Sequence, residues 1–314
     1  MAHDTVTGHI NAALTTLSLR LSVEGLVGDQ VSKRIKTKKQ ADKIRVYDMS
    51  HMRQEQTLIG HGGKSGARKY SWGLTTDEKF FCEGYGLFDT VTRKEMANYD
   101  KPLDAKADTD LALTEIMALD REIRLAAQLL STSIITKYKT LSGTSQWSDI
   151  SSGVSDPLSD IRDAILSVRT YGGRKANFIL MDYEVAIYLG THPDMVALVT
   201  HHDKVTFVSV LAVLKDLYGL EPIIAGGQYN SAKLGATAVL AAVWGKDVLV
   251  GYRHPNPGLR SWTLCGTFDW KPGRFVSEWP SNNPEGTNVK VEEWGLDEKV
   301  LVANCGYLIK AVIA

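Results

Sequence analysis

LDAKADTDLALTEIMALDREIRLAAQLLSTSIITK, residues 103–137, is the stretch around which the rest of the chain is organised. It follows Lys101-Pro102, where proline ends the preceding segment, and neither Gly nor Pro recurs until Gly143. Ala112, Ile116, Leu119, Ile123, Ala126 and Leu130 follow one another at alternating spacings of four and three, which puts them on one stripe of a helix. Asp104, Asp108, Asp110 and Glu115 crowd the front half and Lys137 and Lys139 sit behind, so both ends suit the helix dipole. At about 1.5 Å per residue the predicted helix is roughly 50 Å long. A compact core rarely needs one helix of that length, so it reads as a strut with mixed segments laid along it.

The chain has 314 residues, enough for one large domain or two to three small ones. Its composition, 44% hydrophobic and 23% charged, is that of a soluble folded protein. Lys plus Arg and Asp plus Glu both number 36, a balance that argues against a dedicated nucleic-acid binder. Cys82, Cys265 and Cys305 are far apart and form no CxxC, so buried reduced thiols are expected rather than a zinc or disulfide framework. The start shows no signal-peptide pattern, and the longest apolar run, Leu234 to Trp244, is too short to span a bilayer.

Residues 1–42 read as an N-terminal arm. Ile10, Leu14, Leu17 and Leu21 have helical spacing, and a basic run follows: Lys33, Arg34, Lys36, Lys38 and Lys39. That run is either a solvated face or a contact with polyanion or an acidic neighbour. Residues 43–84 alternate with period two around Ile44 and Val46 and around Tyr70, Trp72 and Leu74, as strands do. Between them lies the flexible tip Gly60-His61-Gly62-Gly63-Lys64-Ser65-Gly66. The two arms bury little locally, so the predicted element is a projecting hairpin. Gly63-Lys64-Ser65 resembles the end of a P-loop, but Leu58 stands where its first glycine belongs and no helix pattern follows.

Asp156-Pro157 predicts a helix start, with Leu158, Ile161, Ile165 and Val168 on one face and Gly172-Gly173 at its end. Phe178 to Met181 reads as a buried strand, Asp182 as the cap of a helix closing at Gly190, and Val210, Leu214 and Leu217 as a helix stopped by Gly219. Pro222 to Ala225 is a predicted strand. Val239 to Trp244 and Val248 to Tyr252 are expected to pair across Gly245-Lys246. The finish is strand-rich, with Gly295-Leu296-Asp297-Glu298 expected as a hairpin turn.

No catalytic constellation emerges. His192, His201, His202 and His254 fall in or beside the α/β part, but no HExxH occurs, and loop or surface histidines are expected. G-x-S-x-G and a strand-following G-x-G-x-x-G are absent. Glu292-Glu293 and Asp120/Glu122 read as solvated charge.

The order of parts, namely arm, charged hairpin, long helix, α/β module and closing strands, resembles the major capsid proteins of tailed double-stranded DNA bacteriophages, the Hong Kong 97-type fold. Leu125 to Leu130, Trp147-Ser148-Asp149, Asp156 to Ile161, Asn177 to Met181, His192-Pro193-Asp194, Trp294 to Asp297 and Cys305 to Ile309 carry the resemblance. It implies an α+β fold with an N-terminal arm at 1–42 and an extended hairpin loop at 43–84. A peripheral domain with the spine helix, about 103–137, would follow at 85–150, then an axial domain at 151–269 and closing peripheral strands at 270–314. It implies no enzyme and no cofactor. The chain would be a structural protein of the virion capsid, assembled in the bacterial host cytoplasm.

Its partners would be copies of itself in hexamers and pentamers, a separate scaffolding protein, a portal, cement proteins in some members, and packaged DNA held without sequence specificity; no membrane is involved. The inter-subunit contact would fall on His61, Gly62, Gly63, Lys64, Ser65, Tyr70 and Trp72 of the hairpin. Encapsulin shells, which share the fold and enclose protein cargo, are the near alternative. An α/β enzyme built around His192 and His254 is the alternative from another class.

Overall fold

The computed structural model describes residues 9–10, 14–15, 17–18, 25–44, 46–47, 74–75, 79–98, 104–150, 153–199, 207–233, 235–270 and 273–314. In chain order it begins with β1 (His9–Ile10), a turn of helix α1 (Gly28–Val31) and β2 (Arg34–Lys36). Short strands β3 (Ala41–Lys43) and β4 (Val46–Tyr47) pair antiparallel with β6 (Lys79–Phe81) and β5 (Leu74–Thr75) respectively, the pattern of a hairpin root. The tip residues His61, Gly62, Gly63, Lys64 and Ser65, and Tyr70 and Trp72 on the returning arm, lie outside the described residues. Next come β7 (Glu83–Thr92), α2 (Arg93–Asn98) and the long helix α3 (Ala105–Leu129).

At 25 residues, α3 is shorter than the 103–137 span expected from the sequence. Asp104 caps it by accepting from the Lys106 amide, as an N-cap aspartate should. It ends where Ser131-Thr132-Ser133 begins. Short hydroxyl side chains there compete for backbone groups, and the β-branched Ile134, Ile135 and Thr136 favour extension. The chain then enters β8 (Tyr138–Thr140) instead of continuing the helix.

The next block follows its local signals. Helix α4 (Pro157–Gly172) opens on Asp156, whose side chain accepts from the Ser159 amide, and closes on Gly173 at φ 65°. Strand β9 (Phe178–Asp182) is buried throughout. Asp182 caps α5 (Tyr183–Thr191), and α6 (Pro193–Val199) and α7 (Phe207–Val213) follow. A π turn, Leu214–Tyr218, extends α7 to Gly219 at φ 69°. Then come β10 (Glu221–Ala225), β11 (Gln228–Asn230), β12 (Leu240–Ala242), β13 (Val248–Gly251), β14 (Cys265–Asp269), β15 (Arg274–Asn282), β16 (Glu285–Val300) and β17 (Gly306–Lys310).

Two main sheets result. One has five strands in the order β10-β9-β13-β17-β8, parallel at both edges and antiparallel between. Its core is a cluster including Trp147, Ile161, Val168, Ile179, Met181, Leu189 and Val250. The other has six strands, with β1, β15, β16, β14 and β2 in order and β7 also paired to β16. Helix α3 packs on that sheet through Leu113 and Met117, which meet Val276, Val289 and Val291.

Five sequence expectations change. The closing strand β17 joins the five-stranded sheet, not the strand-rich finish that precedes it. Strand β13 pairs with β9 and β17, while β12 pairs with β11, so no hairpin spans Gly245. Gly295 is not in a turn: at φ 86° it makes a register shift within the long strand β16, whose reversal from β15 falls at Asn283-Pro284. The segment 27–43 is not a free arm, because β2 pairs parallel with β14. Ile10 lies in a strand against β15, whereas Leu14 and Leu17 are helical and pack beneath the six-stranded sheet.

Candidate functional site

The long helix shows how the molecule divides its side chains. Leu113, Met117, Leu125, Ala126 and Leu129 are buried. Of the stripe read from sequence, only Ala126 is among them. Leu119, Ile123 and Leu130 are half-buried, whereas Ala112 and Ile116 face solvent, Ile116 at 53% exposed. The helix carries apolar residues on two stripes about 100° apart, and the core takes the one that periodicity did not select. The rear of the outer stripe still packs on the core through Leu119, Ile123 and Leu130, while its front, at Ala112 and Ile116, is open to solvent.

The inner face also holds a buried carboxylate. Glu122 Oε1 accepts from the Val27 amide at 3.0 Å and from Trp244 Nε1 at 2.7 Å, and Oε2 accepts from the Gly28 amide at 2.7 Å. These bonds tie α3 to the start of α1 and to the segment between β12 and β13. A Cβ on Gly28 would come within 2.5 Å of Glu122 Oε2, so glycine is what lets the amide approach. The reading of Glu122 as solvated is thus overturned. Nothing local in the sequence marks that three distant donors converge on it.

Around this joint lies a lattice of arginines and carboxylates. Arg34 reaches Glu293 at 2.8 Å, Asp29 at 3.5 Å and Asp269 at 3.7 Å. Arg121 holds Asp29 at 2.9 Å and Glu298 at 3.4 Å, and Arg124 also meets Glu298 while lying over the Tyr85 ring. Arg274 approaches Glu293 at 3.6 Å. Burial opposes the Asp29 charge, but Arg121 and Arg34 outweigh it and hold its carboxyl below the usual range. Glu293 is therefore an internal partner and not the solvated charge expected.

Asp110 is different. It is fully buried, neither of its oxygens has a hydrogen-bond partner among the described residues, and burial pushes its carboxyl up to about 6 against the opposing charge of Arg274.

The basic run is split by this arrangement. Arg34 is committed to the lattice and Lys33 Nζ donates to the Pro255 carbonyl at 2.7 Å. Lys36, Lys38 and Lys39 are exposed, Lys39 pairing with Asp42 at 3.0 Å. Apolar surface is also open on the six-stranded sheet. Phe88 is 61% exposed against Trp279, and Trp294, 46% exposed, lies over Gly84, where a Cβ would meet its ring at 2.9 Å. Across the molecule, Tyr183, Ile187, Phe207 and Val208 are exposed on α5 and α7.

The chemistry of catalysis does not assemble at the predicted histidines. His192 lies in the connection between α5 and α6, as a loop histidine would, but it is only 3% exposed and so not on the surface, and its Nδ1 accepts from the Asp194 amide at 3.3 Å. His254 Nδ1 accepts from the Asn256 amide, while His201 and His202 lie outside the described residues. Among the described residues no group of three or more His, Cys, Asp or Glu side chains could hold a metal ion, and no helix is long and apolar enough to cross a membrane. Cys82, Cys265 and Cys305 are buried free thiols, and burial pushes them up to about 11, 12 and 12.

No protein-family model matches the chain. It is 27% identical over 312 residues, 97% of each chain, to the major capsid protein of Pseudomonas phage JBD67. Among solved structures it resembles a phage-related protein from Bordetella bronchiseptica RB50, with a TM-score of 0.76 at 19% identity over 97% of this chain and 98% of that one. The capsid structure of the cyanophage P-SCSP1u gives a TM-score of 0.58 at 11% identity, covering 92% and 90%. The chain has the Hong Kong 97-type fold of phage capsid subunits, as the order of its parts leads one to expect.

Proposed function

We propose that this chain is a structural shell subunit that assembles with copies of itself into the hexamers and pentamers of an icosahedral virion capsid around double-stranded DNA. The observation that carries this reading is the end-to-end similarity to a phage major capsid protein, 97% of each chain, combined with the shared fold. The open front of the outer stripe of α3, at Ile116, and the exposed aromatics of the six-stranded sheet support it, because such surfaces suit a chain whose remaining contacts are made with other copies. A phage relative also favours a virion shell over a cargo compartment.

On this reading the five-stranded unit is the axial domain, and the six-stranded sheet with α3 is the peripheral domain and spine. The hairpin reaches across a subunit boundary. A scaffolding protein and a portal are the further partners, the role is non-enzymatic, and assembly takes place in the host cytoplasm. Electron microscopy of the expressed protein, with scaffold if needed, tests this: round closed particles are expected, and monomers and dimers under all conditions would overturn it.

A further inference from the structure

Two unmatched surfaces of this chain complement one another. The first is a cleft of ≈ 410 Å³ beside the hairpin root. Ile44 and the stacked rings of Phe80 and Phe268, 4.4 Å apart, form its floor, and Leu259 stands 52% exposed at its edge. Its rim is basic, with Lys36, Lys38, Lys39, Lys43 and Arg260; among the described residues Lys38, Lys43 and Arg260 are exposed and have no ion-pair partner, and Asp42 is the one carboxylate in the lining. The second is the outer stripe of α3. Asp108, Ala112, Glu115 and Ile116 share that face at spacings of three and four, all exposed, and neither acid has an ion-pair partner among the described residues.

We propose that the cleft of one copy receives the outer stripe of α3 from a second copy, with Ile116 over the apolar floor and Asp108 and Glu115 against the basic rim. The inference rests on the shell reading above and names the partner of its open surfaces. A phosphate backbone would satisfy the rim cations but leave the floor and Leu259 uncovered, and would do nothing for Ile116. A segment combining carboxylates with an aliphatic side chain satisfies both parts, and α3 is such a segment. The contact is heterologous, one patch against a different patch, so repetition runs head to tail and closes into a ring when the rotation permits. That is the geometry required of a hexamer or pentamer.

Charge exchange tests it on the full-length protein. Lys38→Glu with Lys43→Glu cancels the rim's net positive charge and places two acids on it, and Asp108→Lys with Glu115→Lys reverses the stripe. Each pair alone should lower particle yield roughly tenfold by placing like charges opposite one another. The four-fold variant should recover to within roughly threefold of the parent. Circular dichroism of the unassembled chains checks folding. Should the stripe reversal fail to fold, Asp108→Asn with Glu115→Gln should lower yield in the same direction and by less.

If the four-fold variant does no better than either pair, the contact is wrong, while parent particles keep the shell reading intact. If the rim variant spares particle yield and only strips bound nucleic acid, the cleft faces nucleic acid and the proposal falls. If the parent itself forms no particles, the shell reading fails first and takes the contact with it.

Discussion

In the five-stranded sheet every residue of β9 and β13 is buried, whereas β7 of the six-stranded sheet buries only Val91 among its ten residues. The first sheet is finished by its own chain. Helices α4 and α5 pack on it, Trp147 donates its ring N–H to Asp160, and Lys139 holds the same carboxylate at 2.6 Å. The second sheet is closed on one side by α3 and, around Phe268, on the other by Phe80 and Ile44, but it is open along β7, with Phe88 and Trp294 in solvent and Ile116 bare at the front of the strut. Both regions belong to one folded chain, so on the proposed shell reading the difference is one of assignment: the first carries the stability of the subunit, the second reserves surface for a neighbour.

The largest effect should follow from damage to the finished region. Phe178→Ala is expected to cost about 3–5 kcal/mol and to abolish soluble folded chain, measured by thermal melting. Phe88→Ala, an equally large deletion on the open sheet, should shift stability by no more than about 0.5 kcal/mol. Equal costs would erase the contrast. Glu122→Leu comes next. It leaves the Val27, Gly28 and Trp244 donors without an acceptor, and about 3 kcal/mol should be lost. A melting point matching the parent would mean that the joint is not held by this carboxylate.

Asp110 sharpens the comparison through pH. Its carboxyl titrates near 3.8 when unfolded and about 6 when folded, because burial disfavours the charge. The folded chain therefore keeps a proton that the unfolded chain has released. The stability this gives is complete below about pH 4 and is lost as pH rises through about 6. Asp110→Asn should match the parent at pH 4 and exceed it by about 2 kcal/mol at pH 8. A constant gap across that range would show that Asp110 is not held in a poorly solvated site. The smallest effect on the isolated chain is expected for Ile116→Ser, about 0.5 kcal/mol or less, with a clear loss of particle yield. If this variant melts several degrees lower while assembling normally, the stripe belongs to the core after all.

The sequence was legible wherever structure is coded within one turn or one strand. Asp156-Pro157 with Gly173, the buried run Phe178 to Met181, and the Asp182 cap were read correctly because each needs only its immediate neighbours. What failed was long-range. Helix α3 has apolar residues on two sides, so periodicity could find a helix without saying which side the sheet would cover. Glu122 looks like any surface carboxylate until Val27 and Trp244, 95 and 122 residues away, are brought to it. Gly295 resembles a turn glycine, yet β7 and β14 both pair with the strand that contains it. Strand β17 reaches the five-stranded sheet only because β8 and β13 leave a place between them.

The most direct measurement is the sedimentation of the purified full-length chain near neutral pH, with and without a scaffolding protein from the same source, alongside negative-stain images of each fraction. A chain completed by its own copies should sediment predominantly as a megadalton closed particle, and Ile116→Ser should move it to small oligomers with unchanged circular dichroism. A monodisperse monomer or dimer under every condition, with the open sheet face and the α3 stripe still exposed, would contradict the account.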